Sequence, residues 1–281
     1  MLRIAVPNKG SLSEAASLML KEAGYRQRHD SHDLAVIDQD NDVEFFYLRP
    51  RDIAVYVGEG TLDVGLTGRD LMLDSHAPVR ELMTLGFGES AFAFAGPAGR
   101  FTTAEDLAGA RVATAYPGLV RAYLKDHGVH AHVVRLDGAV ETAVRLGVAD
   151  AIADVVSTGA TLRQAGLTTF GEPLMRSEAV LIGRNDLVES ADLGVFLRRM
   201  QGVLVARLYV MLDYDVPASY VDQACEITPG IESPTVSPLQ RAGWFAVRAM
   251  VPRGEAQSVM DRLYDLGARG ILVTTIHACR L

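Results

Sequence analysis

The stretch that decides the fold reads DAIADVVSTGATL and runs from Asp150 to Leu162. Residues 151–156 are apolar and partly β-branched around a single acid, a composition that favours a short buried strand over a helix. Small and hydroxylated residues follow at 157–161, and Leu162 opens a segment that can form a first helical turn. The sequence therefore predicts a buried strand, a small-residue loop and the start of a helix.

Such a loop leaves backbone N–H groups unpaired at the start of the helix, and these groups suit an anion such as a phosphate. Gly159 lets the backbone approach closely, while Ser157 and Thr158 add hydroxyl donors. Asp154 would repel a bare phosphate, but it suits a sugar hydroxyl or a magnesium ion that accompanies the sugar. These residues indicate a phosphorylated sugar with its metal. The alternative is an ordinary strand-turn-helix junction with a Ser/Thr cap.

Length and composition limit the class of protein. The 281 residues, 49% hydrophobic and 22% charged, are enough for two or three compact units with buried cores. A net charge of -8 argues against a nucleic-acid surface, which needs clustered Lys and Arg. The N-terminal MLRIAVPNKG is too short an apolar run for a signal peptide or a membrane span, so we expect a cytoplasmic protein.

The residues that most often hold metals or form disulfides give no such signal. Cys225 and Cys279 are expected to be free thiols, because a single pair in a reducing compartment seldom forms a disulfide. His127, His130 and His132 lie at the polar end of a predicted helix and the start of a strand, so we expect solvent-facing side chains instead of a zinc site.

Cationic residues follow two strands of the first segment. Lys9 lies in the loop between a strand at 2–6 and a helix at 11–23, and it is either a solvated charge or a contact for phosphates. Arg49 and Arg51 lie in the tetrapeptide RPRD at the end of another strand, where two guanidinium groups can bind phosphate oxygens bidentately. The alternative is that one arginine pairs with Asp52.

The segment 63–70, DVGLTGRD, repeats the pattern of the opening stretch, a short strand after an aspartate followed by Thr-Gly. The two halves thus look like related α/β units whose loops face each other across a cleft. A third loop of this kind, AYPG, contains Tyr116, which either stacks on a base or packs at a hinge. The GFGESA sequence at 86–91 matches a dinucleotide fingerprint, but a strand follows it instead of the required helix, so we discount it.

Alternating strands and helices predict an α/β fold with mainly parallel sheets, in which ligands bind at the carboxyl ends of the strands. After residue 205 the predicted order is βαββαβ, the ferredoxin-like motif. We expect the passage from 174 to 204 to return to the first domain. The predicted domains are 1–90 with 174–204, then 91–173 with the phosphate loop, then 205–281.

The chain resembles the long form of the ATP phosphoribosyltransferase family in a series of ordered motifs. These are PNKG, FYLRPRDIxxYV, DVGLTGRD, ATAYP, LDGAVE, DVVSTGATL, ITPGIESPT and GARGILV. The resemblance implies a two-lobed catalytic part like periplasmic binding proteins, and a C-terminal ferredoxin-like regulatory domain. It also implies transfer of a phosphoribosyl group from phosphoribosyl pyrophosphate to N1 of ATP with release of pyrophosphate, as the first step of histidine biosynthesis. Magnesium is the implied cofactor, histidine the inhibitor and AMP a further ligand, and the implied assembly is a homo-oligomer, from dimer to hexamer.

Site residues follow from the motifs and the resemblance together. The loop for phosphoribosyl pyrophosphate is expected to comprise Asp154, Val155, Val156, Ser157, Thr158, Gly159, Ala160 and Thr161, with Asp154 as a metal ligand. Lys9, Arg49, Arg51 and Glu141 are the expected catalytic residues, and the expected contacts for ATP are Lys9, Thr67, Gly68, Asp70 and Tyr116. By resemblance, histidine would bind at Asp215, Ile231, Ser233, Thr235 and Gly270.

One residue departs from the family pattern. Many relatives have Lys-Gly-Arg where this chain has Lys9-Gly10-Ser11, so a cation that could help the leaving pyrophosphate is missing and Arg49 or Arg51 would take more of that task. The rival hypothesis from the sequence is a cytosolic two-lobed solute sensor without catalytic activity.

Overall fold

The computed structural model describes residues 1–30, 32–156, 159–188 and 190–280. The chain forms two compact units, one of Met1–Leu18 with Arg26–Glu189 and one of Met19–Tyr25 with Ser190–Leu281. None of the helices in the described part of the chain is both long and apolar enough to span a bilayer.

The first unit contains two α/β lobes. Lobe I begins with eight elements in chain order: β1 (Leu2–Pro7), α1 (Ser11–Glu22), β2 (Ala35–Asp38), β3 (Val43–Leu48), α2 (Pro50–Gly58), β4 (Val64–Gly68), α3 (Arg69–Ser75) and β5 (Val79–Thr84). Lobe II then follows with β6 (Ser90–Pro97), β7 (Arg111–Thr114), α4 (Pro117–Asp126), β8 (His132–Arg135), α5 (Thr142–Arg145), β9 (Ala151–Val156), α6 (Ala160–Gln164) and β10 (Leu167–Ser177). The chain returns to lobe I in β11 (Ala179–Arg184). The predicted two-lobed α/β fold is confirmed.

The sheets are mixed instead of mainly parallel, so that expectation from the sequence is wrong. The strand order is β2-β3-β1-β4-β11-β5 in lobe I and β10-β6-β9-β7-β8 in lobe II. The central pairs β1–β3, β1–β4, β7–β8 and β7–β9 are parallel, while β11 and β6 pair antiparallel with their neighbours. The reason is that the chain crosses between the lobes twice, from β5 to β6 and from β10 to β11. These strands therefore enter each sheet from the side where the parallel strands end.

The two lobes repeat one local arrangement at the start of their central strands. In lobe I the N–H of Arg3 donates to Asp63 Oδ2 over 2.8 Å, and the N–H of Asp63 donates back to the Arg3 carbonyl over 2.9 Å. In lobe II the N–H of Arg111 donates to Asp150 Oδ2 over 3.0 Å, and the N–H of Asp150 donates back over 2.8 Å. The internal similarity predicted between 63–70 and the opening stretch therefore has a structural counterpart.

The second unit contains α7 (Ala191–Leu208), β12 (Tyr209–Pro217), α8 (Val221–Ile227), β13 (Thr235–Pro238), β14 (Trp244–Pro252), α9 (Ala256–Leu266) and β15 (Arg269–Thr275). The four strands form an antiparallel sheet in the order β13-β14-β12-β15. Leu212, Tyr214 and Val216 of β12 are buried against Ala224 of α8 and Leu263 of α9. This is the βαββαβ arrangement of a ferredoxin-like domain, as predicted.

Several predicted element boundaries are wrong. The strand expected from 205 starts at Tyr209, because α7 continues through Leu208. The mostly apolar segment 203–208 suits a helix and a buried strand equally. Helix α5 is short, covering only Thr142–Arg145, and Ala139 before it has a left-handed backbone with a φ of 48°. The domain boundaries drawn at 173/174 and 204/205 fall inside β10 and α7, and the division into three domains stays a prediction.

Candidate active site

A cavity of about 360 Å³ lies between the lobes of the first unit. Lobe I contributes residues of α1 and of the β4–α3 junction, lobe II contributes Tyr116 and Val155, and the two crossovers contribute the rest. The lining residues are Ser11, Leu12, Gly68, Asp70, Leu71, Gly88, Glu89, Ser90, Tyr116, Val155 and Ser177. Four predicted site residues, Gly68, Asp70, Tyr116 and Val155, thus meet in one cavity.

Asp70 connects lobe I to the second crossover. It lies in the first turn of α3 and is 7% exposed. The hydroxyl of Ser177 donates to Asp70 Oδ1 over 2.8 Å, and the Asp70 N–H donates to Ser177 Oγ over 3.1 Å. Because both partners are buried, the carboxylate orientation is fixed before any ligand binds. The sequence did not identify Ser177, since the contact joins residues 107 positions apart.

Tyr116 of lobe II reaches the same carboxylate. Burial raises the pKa of the Tyr116 phenol well above its usual range, and the charges of Asp70 and Asp154 raise this pKa further, while Arg51 opposes them. The phenol therefore stays protonated and hydrogen-bonds to Asp70. The Tyr116 ring also packs edge-on against Phe92 with centroids 5.1 Å apart, and the Arg51 guanidinium lies 5.0 Å from its centroid. The ring thus packs within lobe II, while its hydroxyl side contacts lobe I.

Asp154 lies beside this group at the end of β9. Burial raises the pKa of its carboxyl, and the nearby charges of Glu141 and Asp70 raise this pKa further. The N–H of Val155 donates to Asp154 Oδ1 over 2.8 Å and partly offsets these effects. Three acidic side chains therefore interact electrostatically around the cleft, which favours a cationic or hydroxyl-bearing ligand there.

The predicted cations take different positions. Arg51 pairs with Asp74, with 2.9 Å between Arg51 Nη1 and Asp74 Oδ2, so the alternative of a pair with Asp52 is not what the structure has. Lys9 is exposed in the loop after β1, and Arg49 is exposed just before α2. Neither side chain has a hydrogen bond or an ion pair within the described ranges. Both are free to turn toward an anionic ligand.

The loop after β9 is described in part. Ser157 and Thr158, which we predicted to bind phosphate, lie outside the described residues. Gly159 has a φ of +66° and directly precedes α6, where Ala160 and Thr161 are exposed. Val156 lines a neighbouring cavity of about 460 Å³ together with Arg69 and Arg176. The backbone at Gly159 therefore turns in a conformation that side-chain-bearing residues seldom adopt.

Other residues differ in their local role from what the sequence indicated. The Thr67 hydroxyl donates to the Pro50 carbonyl over 2.8 Å, and Thr67 is 1% exposed, so this side chain joins β4 to α2. The sequence reasoning also missed Glu89 and Ser90, which line both neighbouring cavities. They lie where β5 crosses to β6, in the segment whose GFGESA pattern we discounted. The only signal available for them was that interlobe crossovers border the cleft in a two-lobed fold.

The second unit has a cavity of its own, of about 410 Å³, on the exposed face of its sheet. Of the residues expected to bind histidine, Asp215, Thr235 and Gly270 line it, whereas Ile231 and Ser233 do not. Arg248 also lines it and pairs with Asp213 over 2.6 Å. Asp215 makes no side-chain hydrogen bond or ion pair to any residue that the structure describes. The cavity thus presents the Asp215 carboxylate, which is unpaired among the described residues, and the Arg248 guanidinium group, and the two can complement a zwitterion.

The fold and the cleft define a two-lobed α/β protein with a ligand-sized cavity between its lobes and a C-terminal ferredoxin-like domain. The model of a protein family described as ATP phosphoribosyltransferase matches residues 49–202, and one described as HisG, C-terminal domain, matches residues 206–278. The chain belongs to the ATP phosphoribosyltransferase family, whose reaction is the first step of histidine biosynthesis.

Similar proteins match along the whole chain. It is 63% identical to an ATP phosphoribosyltransferase of Arthrobacter sp. (strain FB24) and 61% identical to one of Streptomyces coelicolor (strain ATCC BAA-471 / A3(2) / M145), with 100% of both chains covered in each comparison. Among solved structures, it resembles the ATP phosphoribosyl transferase (HisG:HisZ) complex from Thermotoga maritima. That match has a TM-score of 0.64 and 27% identity and covers 73% of this chain and 98% of the other.

Proposed function

We propose that this chain transfers the phosphoribosyl group of phosphoribosyl pyrophosphate to N1 of ATP, which gives N1-(5-phosphoribosyl)-ATP and pyrophosphate. The observation that carries the proposal is family membership over the full length of the chain, combined with an interlobe cavity that four predicted site residues line. The reaction forms a bond between adenine N1 and ribose C1 and breaks the bond between C1 and the pyrophosphate oxygen. The leaving pyrophosphate takes the electron pair of that bond.

The phosphoribosyl end of the sugar binds the turn after β9. The turn of Gly159, Ala160 and Thr161 contacts the 5-phosphate, and Asp154 with Glu141 binds the ribose hydroxyls. The raised pKa of Asp154 fits this assignment, because a hydroxyl donor or a metal that neutralises the carboxylate relieves the cost of its burial. We assign Ser157 and Thr158 to the same phosphate from the sequence.

ATP and the departing pyrophosphate bind on the lobe I side of the cavity. Gly68 and Asp70 lie at the β4–α3 junction, and Tyr116 faces them from lobe II. Lys9 and Arg49, both exposed and unpaired in the described part of the chain, and Arg51 are the cations that can neutralise the phosphates. Ser11 lines the cavity at the position where the family resemblance implies an arginine, so we assign the missing charge to these three cations.

The chemistry needs positioning more than proton transfer. N1 of adenine is an unprotonated lone pair at neutral pH, so no general base is required to create the nucleophile. The protein has to align N1 with C1, stabilise the positive charge that grows on the ribose and stabilise the negative charge on pyrophosphate. We assign the carboxylates of Asp154, Glu141 and Asp70 to the first charge, and Lys9, Arg49 and Arg51 to the second.

Magnesium fits this site as an ion carried by the substrate. Among the described residues, no group of three or more His, Cys, Asp or Glu side chains is arranged to hold a metal. Mg²⁺ in phosphate-transfer sites is commonly held by one or two carboxylates together with substrate phosphates, and Asp154 and Glu141 can serve as those carboxylates. When bound, the ion would supply positive charge to the pyrophosphate oxygens.

Regulation and assembly complete the proposal. Histidine inhibits by binding the second unit's cavity, where Asp215 pairs with its ammonium group. Thr235 and Gly270 line the same cavity. Ile231 and Ser233 lie on the loop that precedes β13. A cavity of about 410 Å³ is in the usual size range for small ligands. The chain acts in the cytoplasm as a homo-oligomer, from dimer to hexamer, and AMP competes at the nucleotide site. The Thermotoga maritima relative is described as a complex, which supports an assembled enzyme.

The test is incubation of the purified chain with ATP, phosphoribosyl pyrophosphate and Mg²⁺. We expect equal amounts of phosphoribosyl-ATP and pyrophosphate, resolved by chromatography and mass spectrometry. Arg49→Ala should lower kcat/KM while thermal unfolding stays unchanged. Arg121→Ala is the matched control, because Arg121 is exposed on α4 and does not line the cleft cavity. Binding of both substrates without product would instead support the solute-sensor hypothesis.

A further inference from the structure

Helix α4 begins without a cap from its own sequence. Its N-cap residue, Tyr116, makes no side-chain hydrogen bond to the first turn, and Pro117 at the first helical position has no N–H. The N–H groups of a first helical turn have no partner within the helix and need one from elsewhere. Here the partner comes from lobe I: Asp74 Oδ1 accepts the N–H of Leu119 over 3.0 Å. Asp74 thus caps a helix of the other lobe across 45 positions of sequence.

The second carboxylate oxygen of Asp74 is used within lobe I. Asp74 Oδ2 accepts from Arg51 Nη1 over 2.9 Å, and the Asp74 side chain is 8% exposed. Arg51 in turn lies over the Tyr116 ring, next to the residue at which α4 begins. One carboxylate therefore contacts the start of α4 and orients a cation beside the candidate nucleotide site.

The approach of α3 to α4 is close enough to need a glycine. A Cβ added to Gly118 would lie 2.5 Å from the Asp74 carbonyl oxygen and 2.8 Å from His76 Nε2. Cβ atoms essentially never come this near to other atoms, so the backbone of one helix rests directly against the end of the other. The capping bond is therefore part of a packed interlobe contact and not an isolated surface pair.

Helix α3 is itself held firmly in lobe I. Arg69, its first residue, donates to Glu81 from Nε over 2.9 Å and from Nη2 over 2.8 Å, and to Glu178 from Nη2 over 3.2 Å. These bonds tie the start of α3 to β5 and to the second crossover. Because α3 is anchored at one end, Asp74 at its other end is a fixed point of contact for lobe II.

We propose that Asp74 is a positioning residue of the transfer reaction, which holds lobe II closed on lobe I through Leu119 and fixes Arg51 beside Tyr116. This inference rests on the proposed function. A ligand that binds only the closed arrangement has an apparent affinity equal to its intrinsic affinity multiplied by the fraction of molecules that are closed. Loss of Asp74 therefore raises KM for the substrates. Saturating substrates restore closure and bring their phosphates against Arg51, which holds this side chain in place of Asp74, so kcat is preserved.

The first experiment measures the contact without reference to activity. Hydrogen–deuterium exchange of the full chain is followed in the peptide that contains Leu119, for the wild type, Asp74→Ala and Asp74→Asn. We expect faster exchange of this peptide in Asp74→Ala. Asp74→Asn should retain protection, because the amide oxygen still accepts the Leu119 N–H. Exchange in Asp74→Ala equal to that of the wild type would overturn the capping role.

The second experiment separates KM from kcat. Asp74→Ala should raise KM for ATP by about 10- to 100-fold, the range expected for a lost hydrogen bond to a charged group, with kcat within threefold of the wild type. Asp74→Asn loses only the charged contact to Arg51 and should show a smaller rise. Asp186→Asn is the matched control, because Asp186 pairs with Arg184 at an 80%-exposed surface position, and its KM should be unchanged.

The outcomes distinguish the inference from the function on which it rests. Wild-type protein that forms no phosphoribosyl-ATP would contradict the proposed function, and the exchange measurement would still judge the Asp74–Leu119 contact. Active wild type with an unchanged KM in both Asp74 variants would overturn the positioning role. A fall in kcat without a rise in KM would also overturn it, because Asp74 would then act in the chemical step. Should Asp74→Ala fail to fold, Asp74→Asn decides through its kinetics: a raised KM for ATP with kcat within threefold of the wild type supports the positioning role, and an unchanged KM overturns it.

Discussion

Substituting Gly159 by alanine tests the phosphate turn through backbone conformation alone. Gly159 has a φ of +66°, and a Cβ added there would lie 3.6 Å from Arg163 Nη1 and 3.8 Å from Val156 Cγ1, which are ordinary contact distances. The methyl group therefore fits, and the cost comes from the left-handed backbone, about 1–2 kcal/mol for a non-glycine residue. If the turn relaxes to avoid this cost, its affinity for the phosphate should fall by about 5- to 30-fold, because each 1.4 kcal/mol corresponds to a factor of ten in affinity.

Gly166 provides the matched control at the other end of the same helix. It has a φ of +71°, and no atom lies within 4 Å of an added Cβ. Gly159→Ala and Gly166→Ala should therefore lower the unfolding temperature by similar amounts. In steady-state assays with varied phosphoribosyl pyrophosphate, only Gly159→Ala should raise KM for this substrate. Equal KM values for the two variants would refute the assignment of the phosphate to this turn.

Three further predictions follow from buried or unpaired polar groups. Because burial raises the Asp154 pKa, the native state binds this proton more tightly than the unfolded chain, and native stability falls as pH rises through the shifted pKa. Asp154→Asn should thus raise the unfolding temperature at pH 8, and the difference in unfolding temperature between variant and wild type should vanish below about pH 4. The variant should also lower turnover. An unchanged unfolding temperature at pH 8 would contradict this prediction. Tyr214→Phe should lower the free energy of unfolding of the second unit by about 1 kcal/mol in urea titrations, because it removes the 2.7 Å hydrogen bond to Thr228 Oγ1; an unaltered urea midpoint would contradict this. Asp215→Asn should abolish inhibition by histidine with activity in its absence within twofold, and retained inhibition would exclude Asp215 as the ammonium partner.

The sequence predicted the elements that local patterns determine. The order of strands and helices predicted after residue 205 was enough to predict the ferredoxin-like unit. The Asp-strand-Thr-Gly repeat likewise placed Gly68 and Asp70 at the end of a buried strand, and the structure brings both into the cleft cavity. In these cases the information lies in contiguous segments of the chain.

Residues that act through distant contacts were not predictable in the same way. Ser177 meets Asp70 across 107 positions, and Asp74 meets Leu119 across 45 positions. A serine at the end of a strand and an aspartate in a seven-residue helix carry no periodic signal that distinguishes them from solvated side chains. Mixed strand order was missed for a related reason, because the direction of β11 and β6 depends on where the chain crosses between the lobes.

The measurement that tests the central claim most directly is a crystal structure of the chain with phosphoribosyl pyrophosphate and Mg²⁺. We predict electron density for the 5-phosphate against the backbone of residues 157–161, with the ribose hydroxyls within hydrogen-bond distance of Asp154 or Glu141 and the pyrophosphate directed toward lobe I. A sugar phosphate bound elsewhere, or no density over residues 154–161 at saturating ligand, would contradict the account.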